Sequence, residues 1–123
     1  MEQIKFTTHV LGPVAAYRLE KEQVTQTLRS RNNSITQAIL SGKVKVGDQL
    51  HILLDDRLIG MVQLSICDRV SWTELDIDDA HRGGFDSLQD LGLALKRAGY
   101  RFKDLDGYAF YRIQFQWLEK VSV

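Results

Sequence analysis

Residues 24–31 read VTQTLRSR, and their alternation predicts a β-strand with two unlike faces. Successive side chains of a strand point to opposite sides, so Val24 and Leu28 share a face that can anchor the strand in a core. The opposite face is formed by Thr25, Thr27, Arg29 and Arg31. Its hydroxyls and guanidiniums can donate hydrogen bonds to phosphate or carbonyl oxygens. The pattern predicts either a solvated strand surface or one wall of a site for an anion or nucleotide.

The segments on either side of this strand predict an α+β fold. Residues 111–117 alternate most clearly, with Ile113 and Phe115 on one side and Arg112 and Gln114 on the other. The other predicted elements are a strand over 4–10, a helix or irregular crossing over 14–23, a helix over 32–42, strands over 49–54 and 62–67, and helices near 73–82 and 87–98. Five to six strands, with two or three short helices at the rim, predict a small β-barrel that the last strand can close.

The length and composition of the chain bound its class. At 123 residues, with 44% hydrophobic and 26% charged residues, it is predicted to form one domain over residues 1–123. A single cysteine, Cys67, cannot form an internal disulfide, which favours a reducing compartment. No apolar run is long enough to cross a membrane, and the start MEQIKFTTHV lacks the features of a signal peptide. We expect a cytoplasmic protein without a membrane partner.

Charge is balanced overall but unevenly distributed along the chain. The formal net charge is zero, which argues against indiscriminate binding of polyanions. Residues 1–50 hold seven basic and four acidic side chains, residues 51–92 hold three and nine, and residues 93–123 hold six and three. The two ends are therefore basic and the middle is acidic. This pattern fits either a basic face for a nucleic acid or charges that average out over the folded surface.

The residues that most often carry metal or covalent chemistry are scattered. The three histidines and the single cysteine lack the paired spacing of metal ligands, so no metal site is expected. Cys67 is interpreted as structural, because an acidic neighbourhood raises a thiol pKa and weakens the nucleophile. Gly83-Gly84 follows a predicted helix instead of opening one, which is not the arrangement of a phosphate-binding loop. No cofactor is expected.

Other basic and aromatic residues could extend a binding surface beside the Thr/Arg strand. Lys45 and Arg82 could add phosphate contacts to those of the strand, or could be solvated surface charges. Tyr111 is next to an arginine and could stack on an unpaired base, as aromatic residues do in proteins that bind single-stranded RNA. Core packing is the alternative for the aromatic residues of this region.

The order of five segments resembles the ASCH domain of the PUA-like superfamily. The resemblance covers about residues 24–117 and rests on TQTLRSR, KVKVGDQLHIL, IGMVQLSICDRVSWTEL, DDAHRGGFDSLQDL and YRIQFQW. It implies a small PUA-like β-barrel with helices at the rim and a cleft beside the TQTLR strand. It also implies a role in handling RNA or nucleosides, since some relatives bind nucleic acid and some small bacterial members hydrolyse acylated cytidine nucleosides.

The hydrolase members of this family use a lysine, a threonine and a glutamate. The threonine matches Thr27, whereas Val24 stands at the position of the lysine and Gly83 at that of the glutamate in an ungapped comparison. A threonine hydroxyl needs a neighbouring base to act as a nucleophile, and neither valine nor glycine is a base. Lys21 and Glu74 are the nearest residues in sequence that could replace them.

Two functions follow from this sequence. The first is a module that binds RNA or a modified nucleotide through a polar strand and a basic cleft. Its predicted contacts are Thr25, Thr27, Arg29, Arg31, Lys45, Arg82 and Tyr111. The second is a hydrolase of acylated cytidine nucleosides, or a ribonuclease, in which Thr27 reacts with a non-standard set of partners. The aromatic ends also allow a protein-interaction module, and the oligomeric state is left open.

Overall fold

A mixed sheet of five strands forms the centre of the fold in the computed structural model, which describes residues 1–119. The strands are β1 (Gln3–Phe6), β2 (Gln26–Arg29), β3 (Gln49–Leu54), β4 (Arg57–Ser71) and β5 (Ala109–Trp117). Their order across the sheet is β1-β3-β4-β5-β2, with β1 parallel to β3 and every other neighbouring pair antiparallel. The sheet curls into a half-barrel, which confirms the predicted α+β class.

The curvature of the sheet is helped by two irregularities along β4, which is 15 residues long and pairs with both β3 and β5. One shift in register falls beside Gly60, opposite Ile52. The other falls between Leu64 and Ile66. An extra residue in one strand bends it and increases its twist. These bends let one strand serve both halves of the curled sheet.

Five short α-helices surround the sheet in the described part of the chain. They are α1 (Thr8–Leu11), α2 (Pro13–Glu20), α3 (Ser34–Leu40), α4 (Ile77–Arg82) and α5 (Leu88–Arg97), with 3-10 turns over Trp72–Glu74 and Phe102–Gly107. The helix predicted near 73–82 is divided, because the Asp76 carboxylate accepts a hydrogen bond from the Asp79 N–H and caps a new helix. None of the described helices is long and apolar enough to cross a membrane.

The strand predicted over 4–10 ends at Phe6, and the rest of that prediction is wrong. A helix follows because its first turn is capped from two sides. The Thr7 hydroxyl accepts a hydrogen bond from the Val10 N–H at 3.3 Å. The Asp55 carboxylate accepts hydrogen bonds from the Thr8 N–H at 2.9 Å and from the Thr8 hydroxyl at 2.6 Å. Asp55 lies in the turn between β3 and β4, so the stabilising partner is remote in sequence.

Both faces of β5 are covered by the core. Ile113 and Phe115 are buried on one face, and Phe110 on the other packs against Tyr100 with 5.1 Å between ring centroids. Such burial on both faces suits a central strand, and β5 lies between β4 and β2. The last strand therefore does not close the barrel as predicted. The edges of the sheet are β1 and β2, and an opening is left between them.

Candidate functional site

A cavity of about 310 Å³ lies at this opening, between β2, the end of β1 and α5. Most of its wall is apolar. The larger apolar side chains in the wall are Phe6, Leu11, Phe85, Leu91, Leu95 and Tyr100. Its polar groups are concentrated on β2 and on the residues that follow it. The opening in the sheet is therefore a hollow with one polar side, beside the strand that the sequence singled out.

The free edge of β2 supplies backbone groups to this cavity. The Phe115 N–H donates a hydrogen bond to the Thr25 carbonyl oxygen at 3.0 Å, which sets the pairing with β5. Backbone groups of an antiparallel strand alternate between its two edges, so Thr27 and Arg29 pair with β5. The N–H and C=O of Leu28 consequently point away from β5, and Leu28 lines the cavity. The edge offers one donor and one acceptor to a ligand.

The edge of β1 faces the same opening. The His51 N–H donates to the Glu2 carbonyl and the Asp55 N–H donates to the Phe6 carbonyl, both at 3.0 Å. Alternate residues of a parallel strand bond to the same neighbour, so the backbone of Lys5 points away from β3. The Lys5 carbonyl accepts a hydrogen bond from Arg29 Nη2 at 2.7 Å. The Arg29 side chain thus crosses from one edge of the sheet to the other.

Arg29 is the central polar group of the cavity. Its Nε donates to the Thr27 hydroxyl at 2.9 Å, and its Cζ lies 4.9 Å from the centroid of the Phe6 ring. No aspartate or glutamate of residues 1–119 forms an ion pair with it, and its Nη1 has no hydrogen-bond partner in this part of the chain. Loss of hydration lowers the pKa of Arg29 to about 10, against an opposing effect of Tyr100. The cavity therefore contains a poorly hydrated cation that lacks a counter-charge.

A network of ion pairs occupies the opposite face of β2 and β5. Asp79 is 1% exposed and accepts hydrogen bonds from Arg82 Nη2 at 2.8 Å and from Arg112 Nη1 at 3.0 Å. Burial would raise the pKa of Asp79, but hydrogen bonds from the Asp76 N–H, Gln26 and the two arginines outweigh it and lower the pKa to about 2. The carboxylate is thus fully ionised and neutralised at neutral pH.

Arg82 is held in this network and does not line the cavity. Its Nε donates to Gln26 Oε1 at 2.9 Å while its Nη2 is bound to Asp79. Arg112 is held just as firmly, with two hydrogen bonds of 3.0 and 2.6 Å to the Asp68 carboxylate. These bonds to Asp68 are the main reason that the pKa of Arg112 is raised. Arg82 was predicted to contact a ligand, but its charge is already neutralised inside the protein.

Strand β2 is shorter than the strand that the sequence predicts over 24–31, so only part of the predicted Thr/Arg face is formed. Thr27 and Arg29 both line the cavity. Thr25 precedes β2, and its N–H donates to the Arg82 carbonyl at 2.8 Å. Arg31 lies in an exposed turn, because the Asn33 N–H donates to the Ser30 carbonyl at 3.2 Å and ends the strand. The prediction that Arg31 belongs to the strand face is wrong.

The two remaining predicted contacts lie at different distances from this site. Tyr111 is the register partner of Arg29 on β5, so the two side chains leave the same face of the sheet. Lys45 is exposed in the turn before β3, where its N–H donates to Asp48 Oδ2 at 2.9 Å. Lys45 does not line the cavity. The structure thus brings Tyr111 beside the site and leaves Lys45 outside it.

Comparison with known proteins gives matches among solved structures. No protein-family model and no curated protein sequence matches this chain. A DUF984 protein from Enterococcus faecalis aligns with a TM-score of 0.67 over 100% of this chain and 84% of its own, at 14% identity. An ASCH domain from Lactobacillus crispatus aligns with a TM-score of 0.59 over 85% of this chain and 70% of its own, at 15% identity. The chain has the ASCH fold. The hypothetical protein PH0355 aligns with a TM-score of 0.57 over 96% of this chain and 100% of its own, at 13% identity.

Thr27 lines the cavity, where its hydroxyl contacts a guanidinium and not a base. The Thr27 hydroxyl accepts a hydrogen bond from Arg29, and a guanidinium cannot remove a proton from it. Gly83 also lines the cavity, and a Cβ there would lie 3.1 Å from Phe85 Cδ2. The Phe85 ring thus occupies space that a longer side chain would need. The acidic residue of the cavity wall, Asp79, is already bound to two arginines.

The two substitutes nearest in sequence are engaged elsewhere. Lys21 follows α2, with its Nζ 5.5 Å from the centroid of the Tyr17 ring. The Glu74 carboxylate accepts hydrogen bonds from the N–H and hydroxyl of Ser71, both at 2.9 Å, and these bonds lower the pKa of Glu74. Residues 1–119 contain no group of three or more His, Cys, Asp or Glu side chains that could hold a metal ion.

Several residues of the site were missed by sequence reasoning. Phe6 and the Lys5 carbonyl come from the first strand, and Tyr100 comes from the segment after α5. Their patterns in sequence predict only core or surface positions. Gln26 carried a usable signal, because it is a polar residue on the same face as two apolar ones. Its burial at 2% exposure required partners, which Asp79 and Arg82 supply.

Proposed function

We propose that this domain binds single-stranded RNA or a modified nucleotide, and that one base occupies the cavity beside β2. The observation that carries the proposal is the Arg29 guanidinium, which is poorly hydrated, has no acidic partner in residues 1–119 and faces a hollow. Burying a cation without a counter-charge opposes folding. Such a group is explained if a ligand supplies the missing acceptor atoms.

The remaining walls suit a flat heterocycle with polar edges. The volume of about 310 Å³ is at the lower end of the range for small-molecule sites, about 300–1,000 Å³. Phe6 and Tyr100 provide aromatic surface, and Leu28 provides a backbone donor and acceptor on the free edge of β2. Nucleobases combine flat π-faces with donor and acceptor edges, which is the combination that single-strand binding proteins recognise. In this assignment Arg29 and Thr27 contact the ligand's oxygen atoms.

The ASCH resemblance supports the choice of RNA and nucleotides among such heterocycles. It implies proteins that handle RNA or nucleosides, and the solved ASCH domain has the same fold as this chain. The balanced net charge agrees with recognition of a particular nucleotide better than with adhesion to any polyanion. The absence of a base beside Thr27 in the described residues favours binding over hydrolysis of the ligand.

The experiment is titration with a panel of nucleosides and nucleotides, including base-modified forms, followed by calorimetry and by NMR shifts of the Leu28 amide. Wild-type protein is expected to bind at least one member saturably. Arg29→Met is expected to weaken that binding tenfold or more, because one charge-assisted hydrogen bond to a buried acceptor is worth about 1.5–3 kcal/mol. Arg57→Met removes an exposed arginine at the start of β4 and should leave binding unchanged. Equal affinities for wild type and Arg29→Met would contradict the proposal.

A further inference from the structure

A row of three side chains crosses the sheet next to the cavity. Arg69 of β4 is the register partner of Tyr111 of β5, and Tyr111 is the register partner of Arg29 of β2. Register partners project from the same face of a sheet, so these three residues form one row. Neighbouring strands are about 4.8 Å apart, and the row therefore spans about 10 Å from Arg69 to Arg29. The backbone of Arg29 aligns with this row, and its side chain lines the cavity.

The adjacent row on the same three strands has a different character. It consists of Asp68, Arg112 and Leu28, projects from the other face of the sheet towards α4, and its charges are neutralised by ion pairs. In the Arg69–Tyr111–Arg29 row, neither arginine forms an ion pair with residues 1–119. Arg69 is exposed and Tyr111 is half-buried, and neither side chain has a hydrogen-bond partner in this part of the chain. The fold thus separates paired arginines on one face from unpaired arginines on the other.

We propose that the Arg69–Tyr111–Arg29 row holds the nucleotide that adjoins the base in the cavity, so that the domain's ligand is a single-stranded RNA segment and not a free nucleoside. This inference rests on the proposed function. Tyr111 stacks on the neighbouring base, and Arg69 contacts the phosphate of that nucleotide. A ligand that enters the cavity and also reaches Arg69 extends past Tyr111, as a chain of nucleotides does.

The chemistry of the row selects a single strand over a duplex. Stacking on Tyr111 requires a base whose faces are free, and bases in a duplex already stack on one another. The charge complementarity is local, since two unpaired cations flank one aromatic ring while the chain as a whole has no net charge. A site of this kind contacts few phosphates, so its affinity depends only moderately on salt.

The test compares two probes on the intact protein. One is a mixture of the four nucleoside 5′-monophosphates, and the other is a single-stranded RNA of mixed sequence, about eight nucleotides long, within the roughly 4–16 nucleotides that small single-strand binding domains occupy. The variants are Arg69→Ala, Tyr111→Ala and Tyr111→Phe. Arg57→Ala is the matched control, because Arg57 is an exposed arginine at the other end of the same strand, β4. Circular dichroism checks that each variant is folded.

The oligonucleotide is expected to bind wild type more tightly than the monophosphates do. Tyr111→Ala should weaken its binding about 5- to 150-fold, the range for loss of one stacked base, while Tyr111→Phe retains the ring and binds nearly as wild type. Arg69→Ala should weaken its binding and reduce the salt slope by about 0.7, the contribution of one phosphate contact. Arg57→Ala should bind both probes as wild type does, whereas Arg69→Ala and Tyr111→Ala should weaken binding of the oligonucleotide more than binding of the monophosphates.

The outcomes separate this inference from the proposed function. If monophosphates bind but the oligonucleotide binds no more tightly, the row has no role and the cavity site stands. Unchanged oligonucleotide affinity in both Arg69→Ala and Tyr111→Ala overturns the inference in the same way. Equal competition by a duplex of the same sequence would also overturn it. If neither probe binds wild type, the proposed function fails, and the inference fails with it.

Discussion

Replacement of Arg29 by methionine is expected to make the folded protein more stable while it weakens ligand binding. The pKa of Arg29 falls from its ordinary value of 12.5 to about 10. Each step of one in pKa corresponds to about 1.4 kcal/mol, and because the side chain is only half-buried we expect loss of hydration to oppose folding by about 1–3 kcal/mol. At pH 7 the arginine is protonated in the folded and the unfolded chain, so this full cost is present. It is relieved only as the pH rises above about 10, where the folded protein loses the proton first.

Part of the stabilisation expected from removing this charge is offset by the loss of contacts that methionine does not make. The Lys5 carbonyl and the Thr27 hydroxyl each lose a hydrogen bond from Arg29, but both lie at the cavity and can bind water instead. The contact of Arg29 with the Phe6 ring is replaced by a sulfur–aromatic contact of similar strength, about 1 kcal/mol. The net expectation is a stabilisation of about 1–2 kcal/mol. For a domain of this size the melting temperature should rise by about 4–8 °C.

Urea and thermal unfolding at pH 7, followed by circular dichroism, measure this change directly. Arg57→Met is the control, and a change at this exposed site should stay within about 0.5 kcal/mol. A loss of 1 kcal/mol or more in Arg29→Met would refute the reasoning. Arg29 would then act mainly as a structural link between the edges of β1 and β2. A variant that is more stable but binds its ligand more weakly is the result expected for a residue kept for function.

Three further predictions test other parts of the structure. Asp79→Ala should lower the free energy of unfolding by about 3–5 kcal/mol in urea titrations at pH 7, because it leaves two arginines without their buried partner. The stability that Asp79 contributes is complete above pH 4 and should be lost between about pH 4 and pH 2, since its pKa falls from 3.8 to about 2 on folding. Gly84→Ala should lower the free energy of unfolding by about 2–4 kcal/mol, because φ is +92° and the new methyl group would lie 2.9 Å from Val24 Cγ2. Gly42→Ala, where the methyl group has free space, should lower it by only about 1–2 kcal/mol. Iodoacetamide should modify Cys67 more slowly in the folded than in the urea-unfolded protein at pH 8, because burial and Asp68 raise the pKa of its thiol; equal rates would contradict this.

Patterns that repeat along one element were read correctly from the sequence. The last strand, the strand over 49–54 and the helix over 87–98 agree with the structure. Each of these depends on contacts between residues close in sequence, such as alternation, a turn or a cap. The ASCH fold that the order of segments implied is likewise confirmed. Local chemistry and segment order were therefore sufficient for the fold class.

Elements held by distant partners were not predictable in this way. The first strand stops at Phe6 because the Asp55 carboxylate, from a remote turn, binds the start of α1. The strand around Thr27 is shortened at both ends, by Arg82 of α4 at one and by the turn at Ser30 at the other. Alternation of polar and apolar residues contains no information about such partners, so the predicted strands were too long.

The sequence by itself determined that Thr27 and Arg29 lie on one face of a strand, because a period of two leaves no other arrangement. Only the tertiary structure decided which arginine is available to a ligand. Arg82 meets Asp79 and is neutralised, whereas Arg29 meets a carbonyl and an aromatic ring at the open edge of the sheet. The physical reason is that a charge is neutralised by whichever groups lie within a few ångströms in space, and the chain topology sets those neighbours.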